Sequence, residues 1–282
     1  MLAPLNPNVG QDHHNARFLA TACDLAYLPA DEGCQKFLSE LGLKAELVQV
    51  DNTEAYVAGN DKALVVAVRG SEAPMALDGF KDWLLTNARN FLVLPEGRIG
   101  TDYVSAGVGA RFHRGFMAAL DEIWEPLFKT VDSALLELER PLWVTGHSLG
   151  GAIALLAAWR FERQFLKVHQ VYTFGAPMIG NPAAAEAFQK QFPGRIFRYV
   201  DTRDPVPKLP TVSLTSNEYS HCLQEVRLGA TSVEDALEEA AGKAVNRVLD
   251  ATFIDEIVGN LNQRVDAHLM GNYLQRIGER IA

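Results

Sequence analysis

Apolar residues recur along this chain in two rhythms that take turns. Over residues 15–27 they return at helical spacing, with Phe18, Ala22, Leu25 and Ala26 on one side, which predicts a helix. Residues 45–50 and 54–58 read as a pair of strands around a turn at Asp51-Asn52. Residues 63–68 (ALVVAV) are continuously apolar and β-branched up to Arg69-Gly70, the pattern of a strand buried on both faces. Helical spacing returns over 112–131, 149–166 and 182–191, with short strand-like runs at 142–145, 170–174 and 196–200. Buried strands alternating with helices predict an α/β fold, a mostly parallel central sheet with helices on both faces.

From about 232 to 282 the chain turns helical and more charged (VEDALEEAAGKAVNRVLDA), as a peripheral cap or a last covering layer would. No repeat, low-complexity tract or linker interrupts the pattern, so 1–282 reads as a single domain. With 48% hydrophobic and 22% charged residues the composition is that of an ordinary globular protein. A net charge of −9 argues against a nucleic-acid partner and against electrostatic docking on anionic membranes, and leaves neutral or lipid partners open.

Three cysteines, Cys23, Cys34 and Cys222, are an odd number without metal-ligand spacing, which argues against a disulfide framework and leaves one Cys23–Cys34 bridge open. The first fourteen residues, MLAPLNPNVGQDHH, hold no basic stretch followed by an apolar one, and no apolar run approaches the roughly 18 residues of a membrane-spanning helix. The resulting expectation is a cytoplasmic location without a transmembrane segment, secretion by another route staying open.

The chemistry concentrates at one corner. In Trp143-Val144-Thr145-Gly146-His147-Ser148-Leu149-Gly150-Gly151 a strand-like run stops at a serine, and an alanine- and leucine-rich helix follows. By composition alone G-x-S-x-G would occur in about one chain in ten of this length, so its weight comes from that setting. A strand feeding sharply into a helix forces the corner residue into strained backbone angles and pushes its side chain above the sheet. The neighbours two positions away must then be tiny, as Gly146 and Gly150 are. The corner also sets Ser148 at a helix N-terminus, where amide donors favour negative charge.

A serine needs a base, and the base needs a group that fixes its tautomer. On such a sheet the order is serine, acid, histidine, which retains His221 and His268 and drops the earlier histidines at 13, 14, 113, 147 and 169. His113 and His147 then read as packed, hydrogen-bonding residues. The strand at 196–200 runs into Asp201-Thr202-Arg203-Asp204-Pro205-Val206-Pro207. Asp204, stiffened by the prolines, is favoured as the acid over Asp201, which reads as a turn or cap residue.

Several separated segments together resemble the class 3 lipases, the group of the fungal triacylglycerol lipases. They are Val65 to Ser71 ending in Arg-Gly-Ser, Asp82-Trp83-Leu84, His113-Arg114-Gly115-Phe116, the doubled glycine of Gly146 to Gly151, Thr173-Phe174-Gly175-Ala176-Pro177 with Gly180-Asn181, and Asp204-Pro205-Val206-Pro207-Lys208-Leu209-Pro210. They follow one another in family order. The resemblance implies an α/β-hydrolase fold and a serine carboxylic-ester hydrolase cleaving acylglycerol-type esters at a lipid–water interface, with no cofactor or metal. It implies Ser148 as nucleophile, Asp204 as acid and His268 as base, and an oxyanion hole from the amides of Leu149 and Ser71, the latter also giving its hydroxyl.

The family's histidine is followed closely by a tyrosine; here Tyr273 lies five residues on. The resemblance also implies a lid at about 72–100, where Phe80, Trp83 and Leu84 share one helical face, although an ordinary surface helix would give the same pattern. A glycine-containing insert, residues 96–110, follows it. Phospholipase A1, monoacylglycerol lipase and feruloyl esterase share this machinery, and a catalytically silent lipid-binding relative would share its outline. The helical stretch at 232–263 carries no functional signal of its own.

Overall fold

The hairpin expected at Asp51-Asn52 opens the sheet. In the computed structural model, which describes residues 2–70, 92–94, 97–208, 219–222, 224–229 and 266–281, β1 (Lys44–Val50) pairs antiparallel with β2 (Thr53–Gly59). Val50 lies opposite Thr53, so Asp51 and Asn52 alone make the turn, Asp51 at φ 48°, a region that aspartate tolerates. The helix before it is α1 (His13–Leu25), capped by the Asp12 carboxylate on the Asn15 amide, and it is followed by α2 (Ala30–Lys36) and a π turn at Phe37–Leu41.

After β3 (Leu64–Val68) come a two-residue ladder, β4 (Leu92–Val93) with β5 (Phe112–His113), and between them α3 (Gly97–Val104). Next run α4 (Arg114–Glu137), β6 (Leu142–His147), α5 (Leu149–Arg163), β7 (Val168–Phe174), α6 (Pro182–Gln191), β8 (Ile196–Asp201), β9 (Gln224–Leu228) and α7 (Met270–Gly278).

The main sheet has seven strands in the order β1-β2-β3-β6-β7-β8-β9, antiparallel through β3 and parallel from there on. Its two faces follow the period of two. Leu64, Val66, Val68, Leu142 and Val144 face the core shared with α4 and α5, while Val65, Ala67 and Trp143 face the one shared with α1 and α7. Burying each valine or leucine among them contributes about 1.5–3 kcal/mol, and this two-sided burial makes β3 read as an unbroken apolar run. Since β6, β7 and β8 are parallel neighbours, their carboxyl ends share one edge of the sheet, where such folds gather their chemistry.

The expected helix at 112–131 begins later and runs longer, because Phe112 and His113 are taken up by the ladder with Leu92 and Val93. The insert at 96–110 is more than a glycine-containing loop. Its helix is moored to α5: Asp102 accepts from Arg160 Nε at 2.8 Å, Trp159 Nε1 donates to the Asp102 carbonyl, and buried Tyr103 donates to the Leu156 carbonyl at 2.6 Å. Buried Arg160 also stacks over Trp124, 4.4 Å from its ring centre. Of the candidate lid, only 92–94 and 97–100 fall within the described residues; Phe80, Trp83 and Leu84 lie outside them, as does the whole of 232–263. All three cysteines are free, which settles the open Cys23–Cys34 question against a bridge. No described helix is long and apolar enough to cross a membrane.

Candidate active site

Ser148 stands between β6 and α5 at φ 55° and ψ −130°, a positive φ that a side chain rarely adopts and that surroundings must enforce. The enforcement is visible in the glycines. A Cβ on Gly146 would come within 2.2 Å of the Gly150 carbonyl oxygen, and one on Gly150 within 2.3 Å of the Val68 carbonyl oxygen. A third, Gly151, would meet the Ala176 Cβ at 2.7 Å. The Ser148 amide donates to the Phe174 carbonyl at 3.0 Å, tying the corner to the end of β7.

The side chain at this corner is buried but not isolated. Ser148 Oγ lies 2.9 Å from His268 Nε2, and His268 Nδ1 lies 2.8 Å from Asp204 Oδ2. Asp204, wholly buried, accepts further bonds from the Val206 amide at Oδ1 (2.9 Å) and from the Tyr273 hydroxyl at Oδ2 (2.7 Å). Burial and the adjacent Asp204 carboxylate hold the Tyr273 phenol well above its usual range, so it remains a donor. With its proton on Nδ1 toward the carboxylate, the imidazole presents Nε2 as an acceptor to the serine hydroxyl. This arrangement can take the serine's proton as the oxygen attacks a carbonyl. Leu149, the first residue of α5, carries its amide at the helix N-terminus, where helix amides lack intrahelical acceptors. Ser71, the other residue expected in the oxyanion hole, lies outside the described residues.

The structure thus brings Ser148, His268 and Asp204 together and leaves Asp201 and His221 apart from them. The Asp201 carboxylate is bonded to Arg203, Asn272 and Arg276. The His221 imidazole donates from Nε2 to the Pro207 carbonyl.

Burial, with Arg198 nearby, pushes the His221 imidazole down to about 3, against smaller opposing effects of Pro207 and Glu225. Between about pH 6.5 and 3 the unfolded chain therefore binds a proton that the folded chain refuses, and stability falls as pH is lowered through that window. His221→Gln is expected to flatten the fall of Tm between pH 7 and 4 while leaving turnover at pH 7.5 within about twofold. Melting curves with unchanged pH dependence would refute that assignment.

His147 has a different neighbourhood. Burial, then the facing His268, holds its imidazole well below the ordinary value, so the ring is neutral and carries one proton. The His268 carbonyl, 2.7 Å from Nε2, can only accept, so that proton sits on Nε2 and Nδ1 accepts from the Tyr27 hydroxyl at 2.8 Å. His113 caps α4, its Nδ1 accepting from the Phe116 amide, and its ring stacks on Phe116. Both are the packed, hydrogen-bonding residues expected. Sequence reasoning gave no role to Tyr27, Gly175 or Asn272. Gly175 stood in a matched block and Tyr273 had been noted after the histidine, but neither carried a stated contact.

Comparison with known proteins follows the same lines. Residues 65–214 match the sequence profile of the family described as Lipase (class 3). A secreted mono- and diacylglycerol lipase 1 from Fusarium solani is 33% identical over 174 residues, 58% of this chain and 46% of that protein. A chloroplastic phospholipase A(1) DAD1 from Arabidopsis thaliana is 26% identical over 185 residues, 62% of this chain and 40% of that protein. The chain therefore spans less than half the length of these two relatives.

Among solved structures, the mono- and diacylglycerol lipase from Aspergillus oryzae superposes with a TM-score of 0.60 at 25% identity, covering 80% of this chain and 82% of that one. The α/β-hydrolase fold is shared with these fungal lipases. One expectation is overturned: relatives from Fusarium solani, Gibberella zeae and Penicillium cyclopium are named as secreted, against a cytoplasmic location. That expectation had rested on the composition of the first fourteen residues alone.

Proposed function

We propose that this chain, which belongs to the class 3 lipase family, is a serine carboxylic-ester hydrolase that cleaves acylglycerols through an acyl-enzyme on Ser148. The observation that carries the reading is the unbroken series of bonds from Ser148 Oγ through His268 to Asp204, built on a corner whose strained φ has no other evident purpose. Ser148 Oγ attacks the ester carbonyl as its proton passes to His268 Nε2. The oxyanion that forms accepts hydrogen bonds from the Leu149 amide and, on the family resemblance, from Ser71. The carbon–oxygen bond to the alcohol breaks, and His268 returns the proton to the leaving oxygen. Water, deprotonated by the same imidazole, then attacks the acyl carbon, and the acid departs as Ser148 regains its proton.

Mono- and diacylglycerols are the first substrates to test, because the Fusarium solani and Aspergillus oryzae relatives carry that activity in their names. A second reading, cleavage of phospholipid at the first acyl position, is supported by the Arabidopsis thaliana relative. A fluorophosphonate is expected to modify the chain at Ser148 alone, read by mass spectrometry of the peptides, and modification should abolish release of fatty acid from monoacylglycerol. A chain that resists the reagent while folded is not a serine hydrolase. Hydrolysis of phospholipid alone in a panel of mono-, di- and triacylglycerols with phosphatidylcholine would replace the first substrate class by the second.

A further inference from the structure

The second acid of the Asp201-Thr202-Arg203-Asp204 loop is wholly buried, and its surroundings say why. Asp201 Oδ1 accepts from the Arg203 amide at 2.9 Å, and Oδ2 accepts from Asn272 Nδ2 at 2.8 Å and pairs with Arg276 Nε at 3.3 Å. A carboxylate taken wholly out of water is costly unless so paired. All but one of these partners come from the C-terminal segment that follows His268.

Asn272 is the bridging residue. Its Nδ2 also donates to the carbonyl of Ala267, the residue before the candidate base, at 3.1 Å. Its Oδ1 accepts from Arg203 Nη2, so both ends of the amide are engaged. One residue on, the Tyr273 hydroxyl accepts the Asp201 amide at 3.2 Å while donating to Asp204. A short path therefore leads from Asp201 Oδ2 through one side-chain amide to the backbone that carries His268. Arg276, one helical turn further along, fastens the same helix to the same oxygen.

We infer that Asp201 is a positioning residue for the base: through Asn272 and Arg276 it seats the C-terminal helix so that His268 lies on the line between Ser148 and Asp204. The two acids of one loop divide the work, Asp204 orienting the imidazole ring and Asp201 holding the segment that bears it. This inference rests on the hydrolase reading for its kinetic test and is independent of it for its spectroscopic one.

The decisive variant is Asn272→Asp, nearly isosteric, which turns the donor facing Asp201 Oδ2 and the Ala267 carbonyl into an acceptor. A displacement of about 1 Å in a reacting group costs about 100-fold, so a partial shift of the ring is expected to lower kcat about tenfold, with KM within about twofold. Turnover is referred to sites titrated with a fluorophosphonate, so that unfolded chains do not count. The downfield proton resonance of the His268 Nδ1–H bond to Asp204, assigned by its loss in Asp204→Asn, is expected to broaden or vanish in Asn272→Asp.

Wild-type kcat per titrated site together with an unchanged resonance in folded Asn272→Asp would overturn the inference. If that variant does not fold, Asp201→Asn, which can keep an oxygen toward Asn272 but then turns an NH2 toward the Arg203 amide, is read by the same two measurements, with unchanged kcat and resonance again overturning it. A wild-type chain that resists the fluorophosphonate but keeps a resonance sensitive to Asp201→Asn would sink the hydrolase reading and leave the positioning role standing.

Discussion

Asparagine in place of Asp204 is expected to lower kcat by about 10,000-fold while leaving KM and the fold close to wild type. The carboxylate serves two sides at once. Its Oδ2 accepts from His268 Nδ1 and the Tyr273 hydroxyl, and its Oδ1 accepts from the Val206 amide. An amide has one acceptor atom and can satisfy one side only. With its oxygen kept toward His268, its NH2 would face the Val206 N–H, donor against donor in a wholly buried place, at about 1–3 kcal/mol.

The opposite rotamer is cheaper and chemically fatal. The oxygen then takes the Val206 amide, the NH2 points at His268 Nδ1, and the imidazole must accept there. Its proton moves to Nε2, the nitrogen that faces Ser148 Oγ at 2.9 Å, and a protonated Nε2 cannot receive the serine's proton. Turnover of a soluble short-chain ester by the two proteins, with melting curves to show that both are folded, measures this. A loss below tenfold would remove Asp204 from the reaction. The matching change at the neighbouring acid, Asp201→Asn, is expected to act far more weakly, because Asp201 reaches the imidazole only through Asn272 and the helix behind it.

The parts of this architecture that could be read in the sequence are those governed by short-range rules. The unbroken apolar run of β3 and the helical return in α1 are each set by the burial of one element, so they survive without knowledge of the neighbours. The corner at Ser148 was legible for the same reason, since the small residues at 146 and 150 are demanded by a strand and a helix that adjoin in sequence.

What could not be read depends on partners far along the chain. Strand β9 is exposed or half-buried over most of its length and has no apolar alternation to betray it; its pairing with β8 defines it. Helix α3 looked like an insert because its mooring, Asp102 on Arg160 and Tyr103 on the Leu156 carbonyl, joins residues more than fifty positions apart. The choice between Asp204 and Asp201 turned on the same kind of information. Proline stiffness favours the former, but nothing local says that the latter is buried beneath Arg276 and Asn272. Tyr27, whose hydroxyl donates to His147 Nδ1, stands 120 positions from it and gives no sign in the sequence.

Gly175 is the position where such a hidden contact should have a large effect, and Gly175→Ala is expected to lower kcat/KM by about 100-fold or more. The residue follows β7 at φ 59°, and its amide donates to the Tyr199 carbonyl at 3.1 Å. An added Cβ would lie 2.7 Å from Asp204 Oδ2, closer than real Cβ atoms come, and 3.1 Å from both His268 Nδ1 and the Tyr273 hydroxyl, tighter than most such contacts. The carboxylate cannot swing clear, because Val206, Tyr273 and His268 hold it. Relief has two routes, and both break the line of the triad. Pushing Asp204 outward stretches its bond to His268. Drawing back the end of β7 pulls the Phe174 carbonyl that anchors the Ser148 amide.

The backbone strain of alanine at positive φ, about 1–2 kcal/mol, is a separate cost and is isolated by Gly194→Ala. Gly194 has nearly the same φ, 66°, with nothing within 4 Å of an added Cβ. The two variants should therefore lose similar stability from the backbone alone, while the clash confines the loss of activity to Gly175→Ala. Equal activity in the two would mean that the methyl group at 175 is accommodated without moving Asp204 or His268, and the close packing of glycine against the triad would then have no part in turnover.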